Sequence, residues 1–263
     1  NNFKKSYYKT LQQELEEFKV PDLPLSGISI SRALAKNLPK NCSLHIGRSS
    51  IARNMNFFTV DKSVRVDCNS GVSGIDGAVS TMVGQSVTDQ NRLTLGIVGD
   101  LTFFYDMNAL GIRHIGNNLR ILLANNGLGA EFHANPELES LGNDIDEFVT
   151  AKGHNGSAKS WAESMGFRYL SATTKEELDK KILQFCSPDI EYFDAPVLFE
   201  VFTDAKDDKN ALKLIKEANA KYQTKPQETS LDSRPVRKQR IKNAIKKAAP
   251  NKAVEVYRVI KRK

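Results

Sequence analysis

The segment Leu93–Phe132 constrains this chain most. It reads LTLGIVGD, LTFFYDMNALGIRHIGNN and LRILLANNGLGAEF in succession. Two apolar runs, Leu93–Val98 and Leu119–Ala124, each close on a polar pair, Gly99-Asp100 and Asn125-Asn126. Short apolar runs bounded by turn signals predict buried strands. Between them, Phe103, Phe104, Met107, Leu110 and Ile115 predict a helix that packs back on the sheet. A strand, a helix and a parallel strand form a right-handed crossover unit. Ligands of such sheets bind at the carboxyl ends of the strands. Asp100 and Asn126 fall at those ends, side by side if the two strands are neighbours.

A carboxylate and an amide oxygen are hard ligands, suited to a divalent cation such as Mg2+. That ion takes few protein oxygens and fills its remaining positions with substrate phosphates and water. The chain enters a helix at Asp100, so unpaired N–H groups and the helix dipole face an anionic phosphate there. The stretch reads as a metal-diphosphate site. The plainer reading is an ordinary crossover with Asp100 as a helix cap and Asn125-Asn126 as a turn. Either pair alone favours the plainer reading; both together, about two dozen residues apart, favour the site.

Gly99-Asp100, Thr102 two residues on and then Asn125-Asn126 resemble the thiamine-diphosphate motif of 2-oxoacid decarboxylases and carboligases. Within that superfamily the sequence is most similar to the menaquinone-pathway SEPHCHC synthase family. GDLTFFYDMNAL resembles that family's Gly-Asp-Leu-Ser stretch, and Ser73-Gly74-Ile75-Asp76-Gly77 its Ser-Gly-Ile-Asp-Gly stretch. Gly47–Arg53 (GRSSIAR) is loosely similar to its Asn-Ser-x-x-x-Arg substrate segment. The resemblance runs from about Leu25 to Asp204 and implies the diphosphate-binding domain of such an enzyme. It implies thiamine diphosphate and Mg2+ as cofactors, with Asp100, Asn126 and Leu128 as metal ligands. It assigns cofactor contacts to Ser73, Gly74, Ile75, Gly99, Leu101 and Thr102, with Ile75 propping the bent cofactor. It places Ser49 and Arg53 at the substrate, Arg53 binding a carboxylate. Glu131, five residues past Asn126, is expected to line the same cleft and to favour a polar or cationic acceptor.

The resemblance further implies an activating glutamate on a separate pyrimidine-binding domain, in the same protein or in a partner subunit. No catalytic residue is therefore expected within this chain, and the chain alone is expected to be inactive on its 2-oxoacid substrate. A homo-oligomer is implied, because the family's sites form between subunits. Four positions depart from the family pattern: Arg48 replaces an Asn, Ser70 an Arg, Gly127 a third Asn and Glu131 an Ile. The cofactor positions are kept and those near the second substrate are not, so a decarboxylase or carboligase of another pathway stays open.

The rest of the chain supports an α/β reading. Residues 1–20 place Phe3, Tyr7, Leu11, Leu15 and Phe18 at helical spacing, ended by Pro21 and Pro24. Gly27–Leu38 is predicted as a helix and Ser43–Gly47 and Ser63–Asp67 as strands. His45, within the first of these strands, reads as a core or surface histidine. Val79, Met82 and Val83 face inward from a helix after the glycine-rich loop 68–77. His133–Asn155 is polar and turn-rich, a flap or a disordered stretch, in which His133 and His154 are weak candidates for substrate contact. Helices at Ser157–Met165, Thr174–Phe185 and Lys206–Ala220 alternate with strands at Phe167–Ala172 and Pro196–Thr203. Thr174 with Glu177 three residues on makes a capping signal. Six strands with intervening helices predict a doubly wound, mostly parallel α/β sheet flanked by helices, with a basic C-terminal extension. The predicted divisions are a linker helix (1–22), a diphosphate-binding domain (23–222) and the extension (223–263).

Charge and cysteines set the remaining expectations. The net charge is +7, yet residues 231–263 hold 12 Lys or Arg against 2 Asp or Glu. The positive excess thus belongs to the tail. An anionic surface, nucleic acid or membrane, is one reading of it; a solvated tail or docking arm is the other. With Tyr257 as its one aromatic residue, base stacking is not expected. Cys42, Cys68 and Cys186 are too far apart in sequence for metal spacing and read as reduced thiols of a cytoplasmic protein. No long uncharged apolar run marks a transmembrane segment. The start at Asn1 reads as a piece of a longer protein. A non-catalytic relative is the other class left open.

Overall fold

The computed structural model describes residues 17–71, 74–134, 146 and 150–220, together with Lys9. The chain divides into two compact units, Asn1–Asn219 and Ala220–Lys263. The fold that follows is that of the first unit. The basic extension (223–263) lies outside the described residues, as do Phe3, Tyr7, Leu11 and Leu15 of the expected first helix. Phe18 is described and stacks on Phe57, ring centroids 5.9 Å apart.

Six strands form one sheet: β1 (Ser43–Ile46), β2 (Arg65–Cys68), β3 (Thr94–Gly99), β4 (Leu119–Asn125), β5 (Arg168–Ala172) and β6 (Val197–Phe202). Their order is β2-β1-β3-β4-β6-β5. Every neighbouring pair is parallel, so the predicted doubly wound α/β sheet is the fold. β3 and β4 pair with Gly99 beside Ala124, which brings Asp100 and the two asparagines together. Both strands are buried on both faces, which is why they read as continuous apolar runs rather than alternating ones.

The helices are α1 (Gly27–Asn37), α2 (Ser50–Met55), α3 (Ala78–Thr88), α4 (Asp100–Asp106), α5 (Lys159–Ser164), α6 (Lys175–Phe185) and α7 (Ala205–Ala218). On one face of the sheet Leu44, Leu95, Ile97, Leu122 and Phe199 pack with Ile30 and Leu34 of α1 and Leu178, Ile182 and Phe185 of α6. On the other, Val98, Ile121, Leu123 and Leu198 pack with Val79, Met82 and Val83 of α3 and with Phe103 of α4. Burying a side chain of this kind stabilises the fold by roughly 1.5–3 kcal/mol. Gly96 permits the approach of α3: a Cβ there would lie 2.4 Å from Met82 Sδ. His45 is fully buried in β1, and burial lowers its pKa, so it is a neutral core residue.

Two local expectations are corrected. The helix expected through Ile115 stops at Asp106 and continues as a 3-10 turn, Met107–Gly111. Asp106 has left helical backbone (φ −127°, ψ 14°), and its carboxylate accepts from Ser80 N (2.7 Å) and Ser80 Oγ, capping α3. At α6, Thr174 Oγ1 accepts from Glu177 N, as the capping signal predicts. The Glu177 carboxylate reaches one residue further back, to Thr173 N at 2.8 Å, instead of closing the box on Thr174.

One residue of β4 breaks the apolar pattern. Arg120 is fully buried, and its guanidinium donates to the carbonyls of Phe185 (2.8 Å), Ser187 (2.7 Å) and Asp189 (2.6 Å). It also lies over the Phe193 ring at 5.1 Å. Those carbonyls end α6 and form the turn after it, so Arg120 supplies the donors that a helix C-terminus lacks. No helix among the described residues is long and apolar enough to cross a membrane.

Candidate functional site

The chain passes from β1 to its outer neighbour β2 and returns to β3 on the other side of β1. The β1/β3 junction is therefore the topological switch point, where an open parallel sheet splays its outgoing loops and leaves a crevice. A cleft of about 1120 Å³ opens there. It gathers the carboxyl ends of β1, β3 and β4 and the start of α7.

From β3 come Gly99, Asp100, Leu101 and Thr102; from the β4 end come Asn126, Leu128 and Glu131. Ser49 and Arg53 follow β1, and Gly74 and Ile75 close another side. Ser73 lies outside the described residues. The other residues just named line one cleft; of the two weaker histidine candidates, His154 reaches it through its contact with Asp100.

Asp100 is the buried centre of the site, only 3% exposed. One carboxylate oxygen accepts from Leu101 N at 2.7 Å, the other from Gly127 N at 2.8 Å. The latter oxygen also lies 3.1 Å from His154 Nε2. Burial raises the Asp100 pKa; the hydrogen bonds from Leu101 and Gly127 and the nearby His154 oppose that rise. A carboxylate so placed gains from a cation. Gly127 reaches Asp100 with φ +75°, a left-handed conformation that glycine adopts without steric cost. That accounts physically for a glycine at this position.

The two asparagines do different work, because neighbouring residues at a strand end point to opposite sides. Asn125 turns inward: its Nδ2 donates to Glu200 Oε1 (2.8 Å) and to the Gly156 carbonyl (2.9 Å). Asn126 turns to the cleft: its Nδ2 donates to Asp208 Oδ2 at 2.7 Å and its Oδ1 accepts from Leu128 N at 3.2 Å. Among the described residues no group of three or more His, Cys, Asp and Glu side chains forms a metal centre. The donor set here is of another kind, one carboxylate and one amide oxygen, with Leu128 lining the cleft beside them. Its chemistry fits a hard divalent cation, which is short of protein oxygens and completes its shell from a phosphate ligand.

At the mouth, the Arg53 guanidinium pairs with the Glu131 carboxylate, and Ser49 Oγ donates to Glu131 Oε2 at 2.7 Å. The three expected substrate residues thus touch one another. Arg53 does not present an unpaired guanidinium, and the charge of Glu131 is offset by it. Ser49 sits at φ +80°, ψ −142°, a strained backbone for a residue with a Cβ and of order 1–3 kcal/mol in cost.

Three participants were poorly signalled. His154 carried only the weight of a lone histidine in a polar stretch, yet it touches Asp100 and meets Phe104 edge to face at 5.5 Å. Glu200 is fully buried and accepts from Asn125, Ser157 Oγ (2.7 Å), Tyr169 OH (2.7 Å) and Ala158 N. It fastens the segment that follows His154 to the sheet. Its signal was legible, a lone acid in the apolar run PVLFEVF. Asp208, in the charged run KDDKN, gave none.

A doubly wound α/β domain with a cleft at its switch point, floored by Asp100 and Asn126, defines the class: a parallel-sheet domain with a polar-floored crevice at the carboxyl ends of its strands. No family model matches the chain. It is 41% identical over 207 residues to the 2-succinyl-5-enolpyruvyl-6-hydroxy-3-cyclohexene-1-carboxylate synthase of Bacteroides fragilis, covering 79% of this chain and 36% of that protein. It is 43% identical over 194 residues to the synthase of the same name from Phocaeicola vulgatus, covering 74% and 34%. For that of Bacteroides thetaiotaomicron the identity is 40% over 208 residues, covering 79% and 35%. By this kinship the chain belongs to the SEPHCHC synthase family. It spans about a third of the length of the curated relatives it matches.

Proposed function

We propose that residues 23–222 are the diphosphate- and Mg2+-binding domain of a thiamine-diphosphate-dependent enzyme that decarboxylates a 2-oxoacid and ligates the product to an acceptor. The observation that carries this reading is the meeting of Asp100, Asn126 and the Leu128 segment at the adjacent carboxyl ends of β3 and β4. Thiamine diphosphate, when bound, supplies a thiazolium carbon nucleophile and an electron sink for the loss of CO2.

The chain's own residues bind and orient. Asp100, Asn126 and the Leu128 carbonyl hold the Mg2+ that offsets the diphosphate charge. Gly99 and the first turn of α4, Leu101 and Thr102, meet the diphosphate with the positive end of the helix. Gly74 and Ile75, with Ser73, support the ring portion. The pyrimidine-binding domain, with its activating glutamate, belongs to another part of the protein or to a partner subunit in a homo-oligomer. A cytoplasmic setting accords with three free cysteines, two of them buried, with burial pushing Cys42 up to about 11.

The test is turnover. The chain alone should convert no 2-oxoacid at saturating thiamine diphosphate and Mg2+, and the complete protein should release CO2. Steady release by purified 1–263 would show that the activating group lies within this chain and overturn the division of labour.

Arg53 carries the proposed substrate contact. Its side chain is 64% exposed, so its pair with Glu131 is worth only about 0–1 kcal/mol. A charged hydrogen bond to a substrate carboxylate in the cleft is worth about 1.5–3 kcal/mol. The substrate therefore displaces Glu131. Arg53→Ala should raise the KM for the 2-oxoacid at least about tenfold. Glu131→Ile should lower that KM and shift acceptor preference toward apolar partners. An unchanged KM in Arg53→Ala would make Arg53 a surface residue.

A further inference from the structure

We propose that Asp208 is a positioning residue for the cation: it fixes which end of the Asn126 amide faces the cleft. The inference rests on the proposed role of Asn126 as a ligand. An asparagine amide offers an oxygen at one end and two N–H donors at the other, and only the oxygen binds a cation. The side chain therefore needs a partner that selects one orientation.

Asp208, on the first turns of α7, is that partner. Its Oδ2 accepts from Asn126 Nδ2 at 2.7 Å. An ionised carboxylate only accepts, so the NH2 end turns to Asp208 and Oδ1 turns away. There Oδ1 takes Leu128 N, on the segment whose carbonyl is the third proposed ligand. The carboxylate is itself held. Its Oδ1 accepts from Gly27 N, the first residue of α1, at 2.7 Å. The positive end of that 11-residue helix favours a negative charge. Asp208 is thus clamped between α1 and the end of β4, and it transmits the placement of both helices to one amide.

Outer partners of this sort set metal affinity; their loss costs on the order of 10–100-fold. The experiment is a Mn2+ titration of the complete protein with saturating thiamine diphosphate, followed by the electron paramagnetic resonance of unbound Mn2+. Asp208→Ala should weaken Mn2+ by about 10–100-fold and shift the Asn126 side-chain amide resonance in a 1H–15N spectrum. Asp208→Asn, which keeps one acceptor oxygen for two donors, should lose less, and it carries the test if the alanine variant does not fold. In an Asn126→Ala background either Asp208 substitution should add nothing. Unchanged affinity in Asp208→Ala, or an equal loss with and without Asn126, overturns the positioning role. If Asn126→Ala itself binds Mn2+ as the wild type does, the metal assignment fails instead, and the two failures are told apart.

Discussion

Asp100→Ala should abolish Mg2+-dependent binding of thiamine diphosphate to the complete protein while leaving the sheet folded. Among the described residues Asp100 is the one buried carboxylate at the junction of β3 and β4, and its burial disfavours the charged form and raises its pKa. Removing it relieves that burial and leaves two main-chain donors, Leu101 N and Gly127 N, at the wall of a cleft that water enters. The fold therefore loses little. The ligand loses its cation and with it the charge that offsets the diphosphate. Truncating one partner of a buried charge pair costs about 2–5 kcal/mol or more, so binding should fall at least roughly thirtyfold. Calorimetric titration with and without Mg2+ measures it. Equal affinity in the variant would remove Asp100 from the metal site.

Arg120→Met should have the largest effect on stability. The guanidinium sits at the amino end of β4, away from the cleft, and it satisfies three carbonyls where α6 ends. Two effects oppose each other. Methionine is cheaper to bury than an arginine with no carboxylate partner, and such replacements are neutral or stabilising when the whole polar cluster is replaced. Here the cluster cannot be replaced, because the acceptors are main-chain carbonyls. The Asp189 carbonyl keeps Tyr192 N at 3.3 Å, but the Phe185 and Ser187 carbonyls left without the guanidinium cost about 1–3 kcal/mol each, and together they outweigh the relief. A net loss of about 3 kcal/mol is expected, lowering Tm by roughly 6–12 °C for a unit of this size. Arg120→Lys, which restores only part of the fork, should fall between. Urea denaturation decides the point: an unchanged midpoint would mean that the carbonyls find other donors. Cofactor binding by the folded fraction should be unaffected, which separates this effect from that of Asp100.

The same strand shows how far the sequence carries. LRILLANN was legible as a buried strand with a polar exit because apolar burial is a matter of pattern, and pattern survives one exception. The exception was not legible. What an arginine does in a buried strand depends on acceptors more than sixty residues further along the chain, which only packing brings near. The Asp106 break and the shifted cap at Thr173 were missed for a related reason. Local propensity marks a helix end to within a residue or two, and the side chain that finally caps it is chosen by distance in space.

The sequence by itself determined the sheet and the placement of Asp100 and Asn126 at strand ends. These follow from hydrophobic period and from spacing along one chain, both local quantities. Only the tertiary structure decided the strand order that makes β1/β3 the switch point, the pairing of Arg53 with Glu131, and the contacts of His154 with Asp100 and of Asp208 with Asn126. Each of these joins residues more than fifty positions apart or turns on which strands are neighbours. A close contact between such groups is fixed by how helices and strands stack, and no spacing rule along the chain encodes that.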